Sequence, residues 1–365
     1  MTITSPPGQV PSPLAAPKPA KQKQKGGGFL RYLITRFLLI IPTVFILITV
    51  VFFLMRITGD PITAALGGRL TPDQLAARIH EAGYDRPLIL QYFEYLGKIF
   101  TGDLGRTLSD NRAVSEILTT YGAATLELAI NSVLVALIVG IPLGLVAAKF
   151  RDRYPDAVLR VLAILSYATP VFFAGLLLKL IFGVWLHALP IAGRADWQTE
   201  LQLTNLQAPT GIYWLDALRS GNMAAFGNVM EHALLPAIAL GLLTGGVFLR
   251  LVRTNAIGTL GREYVEAGRS RGVSEFRLTT KHAYRPALIP IITVMGMQIA
   301  MLLGGAVLTE TTFEWKGLGF KLAEYLTARD FVAVQGIVVL LAIIVAVTNF
   351  IVDILAALID PRVRY

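Results

Sequence analysis

Six apolar stretches, each long enough to cross a lipid bilayer as a helix, constrain this chain more than any other feature. A helix needs roughly 20 apolar residues to pass through about 30 Å of hydrocarbon. Segments of that kind run over residues 37–55, 123–148, 161–185, 234–251, 287–309 and 332–358. Hydrophobic residues make up 54% of the chain and charged residues only 16%, so lipid rather than water is the solvent this composition suits. The expected fold class is an all-α membrane protein with six transmembrane helices. Pro42, Pro142, Pro170, Pro236 and Pro290 lie inside or at the ends of these stretches. Membrane helices tolerate proline where neighbours satisfy the freed carbonyls, so kinks are expected there.

The net charge of +9 is distributed as the positive-inside rule requires, which argues against a nucleic-acid partner. Lys149, Arg151, Arg153 and Arg160 face Asp156 and Asp152 between the second and third stretches. Between the fourth and fifth, eight Arg or Lys from Arg250 to Arg285 face only Glu263, Glu266 and Glu275. Both loops are expected on the cytoplasmic side, and an even number of spans then puts both termini there as well. Residues 1–28 read as a separate, disordered cytoplasmic tail, with six prolines from Pro6 to Pro19, four lysines from Lys18 to Lys25 and a glycine run. The transmembrane body is expected over 29–365. Cysteine is absent, which excludes disulfides, thiolate metal sites and thiol nucleophiles.

Two long segments fall on the opposite side. Residues 56–122 contain Thr71-Pro72-Asp73-Gln74, a helix start with proline in the first turn. They continue with Arg86-Pro87-Leu88, which opens an amphipathic run through Ile89, Tyr92, Phe93, Leu96, Ile99 and Phe100. A cap of short helices is expected. Residues 194–228 place Trp197, Tyr213, Trp214 and Phe226 among polar neighbours, which suits a membrane interface or an outer partner.

On the basic side, the segment from Glu263 to Arg277 reads as helix, glycine break, helix. Gly272 can adopt a positive φ and end the first helix, and Ser274 can cap the second. Small residues Ala267, Gly268 and Ser270 permit close approach by another surface, and Arg269, Arg271 and Arg277 ring the turn. A compact basic hairpin hung from two membrane spans suits the transmission of motion from a cytosolic partner.

These residues carry a resemblance. Glu266-Ala267-Gly268-x-x-x-Gly272, followed by His282-Ala283-Tyr284-Arg285-Pro286-Ala287-Leu288-Ile289-Pro290, resembles the EAA loop of ABC importer permeases of the dipeptide, oligopeptide and nickel family. Gly268 stands where the motif has alanine. Outside the loop, Thr58-Gly59-Asp60-Pro61, Tyr84-Asp85-Arg86-Pro87-Leu88 and the segment Thr101 to Arg106 are similar to that family's outer cap. The segment Glu310 to Gly319 is similar to its loop after span five, and Asp360-Pro361-Arg362 to its ending. Lys316 replaces a usual proline, and Phe331 follows Asp330 where tyrosine and proline are frequent.

The resemblance covers residues 29–365 and implies a type I importer permease fold in the bacterial inner membrane, with EAA coupling helices formed by residues 253–286. It implies ATPase coupling through Glu266, Ala267, Gly268, Arg269, Arg271, Gly272 and Ser274. It also implies the partners: a second homologous permease, one or two ABC ATPase subunits and an extracytoplasmic solute-binding protein. Peptides lead as cargo; nickel, glutathione or another small solute are rivals within the family.

No Gly-x-x-x-x-Gly-Lys-Ser/Thr loop occurs, so ATP is expected on partner subunits and no cofactor on this chain. His80, His187, His232 and His282 are far apart in sequence, and neither His-Glu-x-x-His nor Gly-x-Ser-x-Gly is present, which disfavours an enzyme. Intramembrane polar residues are functional candidates by default. Gln298 and Asn131 are candidates for the substrate path, with interhelical hydrogen bonding as the plainer role. Glu127, Lys179 and Asp353 are expected to snorkel at headgroup level. Gly140-x-x-x-Gly144 and Gly241-x-x-x-Gly245 permit close helix crossings. A stand-alone secondary transporter or channel is the alternative of another class; it calls for midplane charges and inverted repeats, which the sequence does not display.

Overall fold

The structure is a computed structural model that describes residues 28–57, 59–278, 294, 298, 302 and 306–359, with side chains from Arg31 to Ile354. The N-terminal tail, the segment from His282 to Pro290, most of the fifth apolar stretch and Asp360-Pro361-Arg362 lie outside the described residues.

The described residues are helical throughout their ordered elements. Among the described residues, four helices are long and apolar enough to cross a membrane: α1 (Gly28–Ile57), α5 (Val114–Lys149), α10 (Met223–Leu260) and α15 (Phe331–Ile359). They contain the first, second, fourth and sixth stretches, and Pro42, Pro142 and Pro236 sit inside helices that run on without interruption.

The third stretch departs from the expected kinked span. It is α6 (Tyr154–Ala168) followed by α7 (Val171–Leu178), which continues as a π-helical turn over Lys179–Trp185, and the two halves meet at 108°. Proline explains the break. The Pro170 ring pushes Thr169 out of the helical region, to φ −81° and ψ 123°, and Pro170 has no N–H to carry the ladder onward.

Close approach of α5 and α10 organises the core. A Cβ on Gly144 would lie 2.6 Å from Val252 Cβ, one on Gly140 2.7 Å from the Gly245 carbonyl, and one on Gly241 2.7 Å from the Ser132 carbonyl. The two small-residue motifs therefore face each other in a single crossing. Lipid supplies no hydrophobic drive between helices, so backbone contact of this kind holds them together by van der Waals packing. Above the crossing, Ala124 and Leu128 of α5 pack with Ala233 and Leu240 of α10, and with Leu302, Ala306 and Trp315. Val294, Gln298 and Leu302 are helical and spaced by four, so they share a face with Ala306.

At one edge α1 packs on α15, with Phe37 and Phe350 edge to face at 5.9 Å and Arg36 3.4 Å from Asp353. Between α1 and α5 lie the expected short helices α2 (Pro61–Leu66), α3 (Pro72–Ala82) and α4 (Leu88–Phe100). Thr71 caps α3 in a reciprocal box with Gln74, as its sequence predicts. The segment before α10 folds into α8 (Trp197–Thr204) and α9 (Tyr213–Arg219).

Candidate functional site

α10 leads directly into the basic hairpin. Helix α11 (Glu263–Ser270) ends at Arg271, and Gly272 follows with φ +77°. The Gly272 N–H donates to the Arg269 carbonyl at 3.0 Å and the Val273 N–H to the Gly268 carbonyl at 3.2 Å, the double closure of a Schellman turn. Ser274 then caps the short α12 (Glu275–Arg277), its hydroxyl accepting from the Arg277 N–H at 3.4 Å. The positive φ and the serine cap follow the sequence expectation.

Charge fixes the angle between the two short helices. Arg269 donates to Glu275 at 2.5 Å and to Glu266 at 2.6 Å. Its bonds from Arg269 hold the Glu275 carboxyl below the usual range, and the bonds to Glu275 and then Glu266 hold the guanidinium above its own. The hairpin is anchored beneath by Val265 and Leu278, both fully buried. A Cβ on Gly268 would approach Leu278 Cδ2 to 3.0 Å, so the small residue at the third motif position serves the internal fit. Lys149, the last residue of α5, lies over the Phe276 ring at 5.8 Å.

The seven predicted coupling residues are thus brought into one hairpin. Glu266, Ala267, Arg269, Ser274, Arg271 and Gly272 are exposed on it, while Gly268 is partly covered. A buried ion pair ties the α10 stem of the hairpin to the next membrane segment: Arg253 donates to both Asp156 oxygens at 2.5 and 2.7 Å, and Asp156 is fully buried at the start of α6. The hairpin's stem is therefore tied to α6 as well as to α10.

The two path candidates are buried, and no hydrogen bond joins them. The Asn131 Nδ2 and the Gln298 Oε1 have no hydrogen-bond partner among the described residues. Gln298 lies on the face that Leu302 and Ala306 pack against α5 and α10.

Glu127 departs from its headgroup-level expectation. Glu127 is fully buried and accepts a short hydrogen bond from Arg194, whose guanidinium also donates to the Gly211 carbonyl at 2.6 Å and lies 3.6 Å from the Tyr213 ring centre. The loop before α8 therefore folds inward onto α5, because burying a carboxylate demands a partner charge. Lys179 donates to the Thr312 carbonyl at 2.8 Å, and Asp353 pairs with Arg36.

Sequence reasoning missed Glu310, which ends a buried network at the close of helix α13 (residues 306–312). Its carboxylate accepts from the Thr125 hydroxyl at 2.7 Å and the Phe320 N–H at 2.9 Å. Thr125 in turn accepts from the Leu318 N–H at 2.8 Å, and Trp315 Nε1 donates to the Ala124 carbonyl at 2.9 Å. Any Cβ on Gly317 would meet the Glu310 carboxylate at about 2.5 Å, so the glycines of this segment are the available signal. Lys316, the departure from the family's proline, is exposed and outside the network.

Asp330 plays the same part at the other end of α14 (Leu318–Thr327). It accepts from the Leu108 and Ser109 N–H groups at 2.6 and 2.8 Å, which pins the loop before α5 to the start of α15.

Residues 140–365 match the family described as binding-protein-dependent transport system inner membrane component, and residues 29–116 match its N-terminal companion family. The di/tripeptide transport system permease protein of Pseudomonas aeruginosa is 37% identical over 92% of this chain and 99% of its own length. The dipeptide transport system permease protein of Escherichia coli K12 is 35% identical over 92% of this chain and 99% of its own length. The glutathione transport system permease protein of Salmonella typhi is 33% identical, again over 92% and 99%.

Proposed function

The chain belongs to the family of inner-membrane components of binding-protein-dependent transport systems, and we propose that it forms half of the translocation path of an ATP-driven peptide importer. The observation that carries this reading is the end-to-end match to di/tripeptide and dipeptide permeases, which spans the cap, the membrane helices and the hairpin together. Similarity to a glutathione transport system permease keeps glutathione as a rival cargo.

In this reading the chain crosses the bacterial inner membrane six times, the fifth crossing falling at residues 287–309, and both termini are cytoplasmic. The chain has no catalytic centre and binds no cofactor; ATP belongs to one or two ATPase subunits. A second permease completes the path, and a solute-binding protein delivers cargo to the cap side. Residues 263–278 form the coupling element. Glu266, Ala267, Arg269, Arg271, Gly272 and Ser274 meet the ATPase, and Gly268 gives the hairpin its tight internal fit. Three features support that role: the fixed Schellman turn, the exposed charged rim, and the rigid stem that Arg253 shares with Asp156. Closure of the ATPase pair around ATP pulls the hairpin, and α10 and α6 follow as one unit, so the path alternates between its two openings. Asn131 and Gln298 are the proposed polar contacts along that path.

Crosslinking tests the coupling role. With no native cysteine present, Arg271→Cys in the assembled transporter provides a single attachment point. A crosslink to an ATP-hydrolysing subunit is expected, and its absence under conditions that support uptake contradicts the assignment.

A further inference from the structure

Helix α4 has more apolar surface than its packing uses. One face meets α1: Gln91 Oε1 accepts from Arg56 Nε at 3.0 Å, the Tyr92 and Thr49 hydroxyls lie 2.7 Å apart, and Tyr95 stacks on Phe52 at 5.4 Å. A second face carries Glu94 and Lys98, both exposed. The third is a stripe of Ile89, Phe93, Leu96 and Phe100, spaced four, three and four residues apart and so aligned along the helix. It is open: Ile89 is 59%, Phe93 62% and Phe100 83% exposed.

The height of α4 against α1 identifies what covers that stripe. Arg56 and Thr49, the two hydrogen-bonding partners, bracket the end of the first apolar span, about 10 Å apart along the helix. Val50, Phe53 and Leu54 on this part of α1 face outward, where a span meets lipid. Aromatic contacts join the two helices beneath this surface: Phe53 stacks on the buried Tyr92 at 5.6 Å, and Tyr92 contacts Phe93 edge to face at 5.6 Å. Aromatic clusters with a flanking cation at the end of a span are the mark of the membrane–water interface, and Arg56 lies 5.0 Å from the Phe52 ring centre.

We propose that α4 is an interfacial helix. It lies along the membrane surface at the Arg56 end of α1, with the Ile89, Phe93, Leu96 and Phe100 stripe in the lipid and Glu94 and Lys98 in water. The inference depends on α1 being a membrane span and not on the cargo. It makes the cap a membrane-supported platform rather than a free aqueous domain.

Site-directed spin labelling of the full chain in phosphatidylethanolamine/phosphatidylglycerol vesicles tests it. Labels are placed through Ile89→Cys, Phe93→Cys and Phe100→Cys on the stripe, Glu94→Cys and Lys98→Cys on the polar face, and Ile46→Cys on the exposed side of α1 as reference. Collision with oxygen reports lipid, and collision with a water-soluble nickel chelate reports solvent. The stripe is expected to match Ile46→Cys, with an oxygen-to-nickel ratio several-fold above that at positions 94 and 98. Nickel access at the stripe equal to that at 94 and 98 overturns the proposal while leaving the α1 span intact. Low access to both reagents at the stripe overturns it in favour of a protein contact. Nickel access at Ile46→Cys itself removes the span and the proposal together.

Discussion

Arg269 Nε donates to Glu275 Oε1 at 2.5 Å, across a glycine turn that reverses the chain between two short helices. Because Glu275 is held below the usual carboxylate range, the bond contributes order fully above the ordinary glutamate value of 4.5 and loses it as pH falls through the lower folded value. Hydrogen exchange at the Gly272 and Val273 amides is therefore expected to show constant protection between pH 6 and 8, once the intrinsic base catalysis is corrected. Glu275→Gln, an exposed change, should leave thermal stability unchanged while loosening those amides.

Gly272 at φ +77° costs a side chain about 1–2 kcal/mol, so Gly272→Ala should weaken the turn modestly. Gly272→Pro and Glu266→Arg should do more: membrane insertion stays intact, while ATP hydrolysis by the assembled transporter continues without uptake. Coupled uptake at the wild-type rate in either variant would remove the hairpin from the mechanism.

The space beside Gly144 is taken by Val252 Cβ and the Leu249 carbonyl, and that beside Gly241 by the Ser132 carbonyl and Val135, so Gly144→Leu or Gly241→Leu should destabilise the α5 and α10 crossing by about 1–3 kcal/mol or more. Gly227, also on α10, has open space where its Cβ would go, so Gly227→Ala should be neutral or stabilising by up to about 1 kcal/mol. Thermal unfolding in detergent separates the two classes.

Arg253 makes two bonds to the buried Asp156, and the Asp152 N–H at 3.0 Å and Arg160 at 3.8 Å remain beside that carboxylate when Arg253 is replaced. Arg253→Met should cost about 1–3 kcal/mol, and Asp156→Leu together with Arg253→Met should recover part of it. A double-mutant cycle on thermal stability checks the coupling.

Glu310→Ala should leave Thr125 and the Phe320 N–H without their acceptor, at about 1–3 kcal/mol, and Glu310→Gln should cost less because it retains a carbonyl. The same stability measurement distinguishes the two.

How far the sequence carried depended on whether a feature is local. Gly272 and Ser274 were legible because a glycine turn and a serine cap are written within a few residues, and the four long helices α1, α5, α10 and α15 were legible because length alone marks them. Pro170 was read as a kink and is a break at 108°, since periodicity reports that a helix is apolar but not that its halves point in different directions. Glu127 was placed at the headgroups because its partner, Arg194, lies 67 residues away and only folding brings the two together. The structural roles of Glu310 and Asp330 were not legible for the same reason; their hydrogen bonds reach across 185 and 222 residues to Thr125 and Leu108.

The central claim is that this chain moves peptide only as part of an ATP-driven assembly. Uptake of a labelled dipeptide into proteoliposomes tests it, using the chain alone and then with its permease, ATPase and solute-binding partners, each with and without ATP. Uptake is expected only in the complete assembly and only with ATP; uptake by the chain alone, or by the assembly without ATP, would show that the chain transports by another means.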